Sequence, residues 1–153
     1  MDRNAHIREL NALYQLMADG RKGYMEAAEQ AEDPRISNLL TQLSGRRNEL
    51  EKRLGHEIRR FKHDDRTQEG TLKGVLHRAW IDIRDAMSRS DDASILAECE
   101  RGENYLLERM DTVAKDHDVA PESRALVAEL RTEVVKDLDL VMDLHSAVDA
   151  AGH

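Results

Sequence analysis

Four charged side chains fall on or beside positions where a helical pattern calls for hydrophobes: Arg47, Glu103, Glu133 and Asp137. With a helix advancing about 100° per residue, Arg47 lies beside Leu43, Leu50 and Leu54, and Glu103 lies between Cys99 and Leu106. Asp137 lies between Leu130 and Val141, and Glu133 sits at the edge of the same face. Carboxylates gathered in this way could hold a hard cation, with Glu103, Glu133 and Asp137 as ligands to iron or another divalent metal. The fixed charge of Arg47 opposes that arrangement. The simpler expectation is a structural polar layer in which Arg47 bridges Glu103 and Asp137, with no cofactor and no catalytic residue. Desolvation can cancel the attraction in such a cluster, yet removing Arg47 alone should cost about 3–5 kcal/mol, because two carboxylates would stay buried.

Stronger metal signals are missing. A di-iron centre in a helical bundle takes a Glu from each of two helices and a Glu-x-x-His from each of the other two. The residues three before His6, His56, His63, His77, His117, His145 and His153 are Arg, Arg, Arg, Gly, Ala, Met and Ala. His56-Glu57 is not followed by a second His four residues after the first, so it is no zinc-protease motif. Glu26, Glu29 and Glu49 project away from the apolar faces of their helices. Cys99 is alone and lies on an apolar stripe, which reads as a small buried hydrophobe.

Long helices must position these residues. Ile7, Leu10, Leu13, Met17, Tyr24, Ala27 and Ala28 form one helical face, and Ile36, Leu39, Leu40, Leu43, Leu50, Leu54, Ile58 and Phe61 form a second. Asp33-Pro34 between them supplies an N-cap followed by Pro at the first helical position. The first hairpin is thus expected over about residues 4–61, and a second, restarted by Ala120-Pro121, over about 91–149. A shorter helix over about 71–87, with Leu72, Val75, Leu76, Trp80 and Ile83 inward, lies in the connection between them. Two hairpins joined by a long crossover that contains an extra short helix is the plan of a ferritin-like four-helix bundle. Periodicity alone does not exclude an up-down array of five helices. Counting from the helix ends puts Arg47, Glu103 and Asp137 at one height, with Gly20 of the first helix arriving at the same level.

Composition agrees with an all-α, single-domain chain over residues 1–153. Charged residues make up 35% and apolar ones 40%, with two Pro and few aromatics, so the core must be aliphatic. The net charge of −8 disfavours a nucleic acid or an anionic membrane as partner. The basic cluster Arg59, Arg60, Lys62 and Arg66 falls where the second helix should end and complements its dipole. No apolar run approaches the ~20 residues needed to span a bilayer, and no signal-peptide core is present, so a cytoplasmic protein is expected. Bundles of this size commonly pair through a helix face, which makes a homodimer one expected assembly.

Three stretches carry a family resemblance: Asp19-Gly20 with Gly23-Tyr24-Met25-Glu26-Ala27-Ala28-Glu29, then Leu76-His77-Arg78-Ala79-Trp80-Ile81, then Glu98-Cys99-Glu100-Arg101-Gly102-Glu103. In that order, from about Leu10 to about Val141, the chain resembles a bacterial family of ferritin-like four-helix-bundle proteins named only as a domain of unknown function. The family carries an Arg and a Glu that match Arg47 and Glu103, and often a His in its last helix where Leu138 stands here. The resemblance implies the fold and a stress-associated role, and it supplies no reaction. The expected function is therefore non-catalytic, exerted through the surface or by self-association. The alternative is a carboxylate-based metal-binding or redox protein of ferritin-like type.

Overall fold

The computed structural model describes residues 2–62 and 91–151, which form four α-helices and no strand. They are α1 (Arg3–Gln30), α2 (Pro34–Lys62), α3 (Asp92–Ala114) and α4 (Pro121–Ala151). The crossover helix expected over about 71–87, with Trp80, lies outside the described residues, as does Arg66 of the basic cluster.

α1, α2 and α3 each start where the sequence supplies a cap. The Asp2 carboxylate accepts the N–H groups of Asn4 and Ala5 at the head of α1. Asp33 accepts the Arg35 N–H at 2.9 Å, with Pro34 at the first position of α2. Asp91 accepts the Ala93 N–H at 3.0 Å to open α3. α3 stops at Ala114. Asp116 turns the chain there: its carboxylate takes the Asp118 N–H at 2.8 Å, and its carbonyl takes the Val119 N–H at 3.0 Å.

Contacts at the two ends give the helix directions. At one end Arg3 reaches the Phe61 carbonyl, His6 receives the Ala120 N–H, and Ser123 bonds Glu57. That end gathers the starts of α1 and α4 with the finish of α2. At the other, the Asp92 carboxylate accepts the N–H groups of Glu32 and Asp33, each at 3.0 Å, so α3 begins where α1 passes into α2. α2 and α3 therefore run parallel, and residues 63–90 join opposite ends of the bundle. The neighbours around the square are α1 with α2, α2 with α4, α4 with α3, and α3 with α1, each pair antiparallel. α2 and α3 face each other across the diagonal.

The core between them is aliphatic: Leu10, Met17, Leu40, Leu43, Leu54, Ile95, Leu96, Met110, Leu130 and Val134 are all sealed from solvent. α1 and α2 pack tightly at Gly55, where a Cβ would lie 3.2 Å from Cε2 of Tyr14. Gly20 and Gly23 are both buried on α1. Among the described residues, no helix is long and apolar enough to cross a membrane.

Asp92 ties α3 to the turn between α1 and α2 with two charge-assisted bonds, so Asp92→Ala should destabilise the fold by about 1–2 kcal/mol in urea titrations. Faster hydrogen exchange should appear first at the amides of Glu32 and Asp33.

Candidate functional site

Midway along the bundle, α1 and α2 are in register through Arg21. Its carbonyl accepts the Ser44 hydroxyl at 3.0 Å, and its guanidinium donates to Glu51 at 2.5 Å. Arg47 lies between Ser44 and Glu51 on α2, and it points inward with no exposed surface. Its Nη2 donates to Glu103 of α3 at 2.6 Å, so the pair crosses the diagonal through the centre of the bundle. The same nitrogen is 3.7 Å from Asp137 of α4. The guanidinium carbon lies 5.5 Å from the centre of the Tyr24 ring, an arrangement in which the cation meets the ring's π-face. Tyr24 comes from α1, so all four helices contribute to one layer.

The electrostatics follow from burial. Desolvation pulls the Arg47 guanidinium down, but the adjoining Glu103, Tyr24 and Asp137 outweigh it and hold its pKa above the ordinary value. Burial, then the Glu103 charge, push the Tyr24 phenol well above its ordinary value, leaving it a neutral donor. Burial likewise raises the Asp137 carboxyl, against the pull of Arg46 and Arg47. The buried Cys99 thiol is pushed well up by burial and by the nearby Glu103, Glu98 and Glu100, so it is a hydrophobe in practice and no nucleophile.

Arg46 is the member that the helical pattern hides. It is 44% exposed and belongs to the solvated side of α2. Its stem nevertheless carries the guanidinium across the seam to α4, donating from Nε to Asp137 at 2.6 Å and approaching Glu133 at 3.4 Å. Asp137 therefore has Arg46 as its closest cation, not Arg47. The expectation that removing Arg47 strands two carboxylates is corrected: only Glu103 loses its cation. Glu133 is partly exposed and also pairs with Lys136 at 3.3 Å. The layer thus assembles Arg47, Glu103 and Asp137, with Glu133 at its rim. Among the described residues, no three His, Cys, Asp or Glu side chains form a group that could hold a metal ion.

The other sequence candidates scatter. Glu29 and Glu49 are exposed, whereas Glu26 is half-buried. His117 and His56 are exposed. His145 of α4 bonds Glu100 of α3 through Nδ1 and lies 3.5 Å from Asp149 through Nε2. His6 is fully buried, and its spacing to Leu10, Leu13 and Met17 is that of one helical face.

Comparison with known families places the chain. A family model described as a domain of unknown function (DUF2383) matches residues 5–116, well over half the chain, and the protein belongs to that family. The match includes Tyr24, Arg46, Arg47 and Glu103, while α4 with Glu133 and Asp137 lies beyond it. No curated protein matches the chain, and neither does any solved structure.

Two outcomes follow from the layer. Arg47→Met leaves Glu103 buried without its cation and should cost about 3–5 kcal/mol in urea unfolding. Arg47→Met combined with Glu103→Gln should be markedly less costly than the sum of the two, because no charge is stranded. The raised Asp137 pKa has the opposite sign from a stabilised carboxylate. Its contribution is full below the ordinary value of 3.8 and is lost as pH rises through the folded value. Asp137→Asn should therefore gain stability relative to the parent protein between about pH 4 and pH 7, measured by denaturant titrations across that range.

Proposed function

We propose that this chain is a non-catalytic, ferritin-like bundle protein in which Arg47, Glu103 and Asp137 set the register of the helices, and that it acts through its surface or by self-association. One observation carries the reading: the fully buried Arg47 guanidinium, bonded at 2.6 Å to Glu103 in the middle of the bundle. A divalent cation held by Glu103, Glu133 and Asp137 would meet that fixed positive charge where little solvent screens the repulsion. Each of those carboxylates is already engaged by a guanidinium, and the set contains no imidazole. Carboxylates alone suit a hard divalent ion, but here it would have to displace these guanidinium groups.

The ferritin-like assignment is supported by helix order. Parallel α2 and α3, joined end to end along the bundle by a long connection, match bundles with one crossover. A stress-associated role in a bacterium is what the family resemblance supports.

Metal analysis of untagged protein, as purified and after anaerobic loading with Fe(II), tests this reading. The expected result is no stoichiometric metal in either state. One ion or more per chain, lost in Glu103→Gln, would overturn it in favour of a carboxylate-based metal or redox protein.

A further inference from the structure

Three segments meet on His6 at the end of the bundle where α1 and α4 begin and α2 finishes. The imidazole has no exposed surface. Its Nδ1 accepts the Ala120 N–H at 3.0 Å. A backbone amide can only donate, so Nδ1 carries no proton and the neutral ring holds its hydrogen on Nε2. The ring packs against Phe61 of α2, with centroids 4.2 Å apart. Ala120 is itself buried and stands immediately before Pro121, which has no N–H. Its amide is therefore the last donor before α4, and His6 is what satisfies it. The Ala120 carbonyl in turn accepts the Arg124 N–H at 2.9 Å and so starts the helix.

We propose that His6 is a proton-operated latch: with Nδ1 bare it clamps the start of α1 to the start of α4, and a proton taken up at Nδ1 releases that clamp. The proton comes from solvent and occupies the lone pair that the Ala120 N–H was using. The amide loses its acceptor, and the imidazolium is left as a buried cation whose Nε2 has no hydrogen-bond partner among the described residues. The charges that act on the ring are Glu57 and Arg60 from α2 and Glu122 from α4. Glu57 is engaged by the Ser123 hydroxyl and by Arg60, so it is poorly free to turn toward an imidazolium. Burial outweighs the two carboxylates and holds His6 below its ordinary value. A lowered histidine contributes stability above the ordinary value of 6.5 and loses it as pH falls through the folded value. Across that window the opening constant should rise by up to about tenfold per pH unit. The latch is independent of the charged layer, which lies about 20 Å away along α1.

Nitrogen-15 NMR on the native chain tests the latch, with hydrogen exchange followed as protection factors. At neutral pH His6 should show the Nε2–H tautomer. On acidification Ala120 should lose protection in step with the His6 titration, while the Glu32 and Asp33 amides at the far end keep theirs. In His6→Asn the amide oxygen can still accept the Ala120 N–H but cannot titrate, so the pH dependence should flatten. An Nδ1–H tautomer at neutral pH would overturn the proposal, as would Ala120 protection indifferent to the His6 titration. So would simultaneous loss of protection at both ends, or an unchanged profile in His6→Asn. If that variant fails to fold, the tautomer and the native-chain profile decide the matter alone.

Discussion

A guanidinium sealed in the middle of four helices constrains everything around it. Arg47 cannot be neutralised by losing its proton, so the bundle must bring acceptors to it. Glu103 does so across the diagonal at 2.6 Å, and the Tyr24 ring presents its face to the guanidinium, 5.5 Å from its centre. Apolar side chains can slide past one another by a turn at modest cost. A buried Arg–Glu pair cannot, because a slip of one turn separates two charges in a medium that screens them poorly. On the function proposed above, the polar layer acts mainly on register. Whether it adds net stability depends on desolvation, which works against it.

The same division of labour recurs at the two ends. Asp92 collects two backbone N–H groups from the turn between α1 and α2, while His6 collects one from the entrance to α4. Each tie joins segments distant in sequence and satisfies amides that a helix start or a turn would otherwise leave without partners. The long aliphatic stripes supply most of the burial, and these few directional bonds select one arrangement of four similar helices. The ties differ in chemistry. An aspartate accepting backbone donors keeps its role over the whole neutral range, whereas a histidine used as an acceptor loses it on protonation.

The seam between α2 and α4 shows what a long cation can do from outside. Arg46 lies on the solvated side of α2, yet its guanidinium reaches Asp137, which has no exposed surface. Arg53 meets Glu129 farther along the same seam at 3.4 Å. Polar side chains thus bridge α2 and α4, whereas α1 and α2 meet closely enough that Gly55 faces the Tyr14 ring. The charged layer is shielded on its apolar sides and covered by Arg46 on the remaining one.

Helical periodicity by itself determined the long helices, their inward faces, and the burial of Arg47, Glu103 and Asp137, because a helix repeats its face every few residues whatever its neighbours are. Asp33-Pro34 and Ala120-Pro121 marked helix starts for an equally local reason, Pro at the first helical position, aided at Asp33 by a cap. Tertiary structure decided who pairs with whom. Asp137 went to Arg46 and not mainly to Arg47, since the reach of an arginine stem across a seam depends on the spacing of two helices and leaves no period in the sequence. His6 shared the stripe of Leu10 and Leu13 and so was legible as buried, but its acceptor role needed Ala120, more than a hundred residues away, to arrive at the same end. Local sequence specifies which way a side chain faces; only the assembled bundle specifies what it meets there.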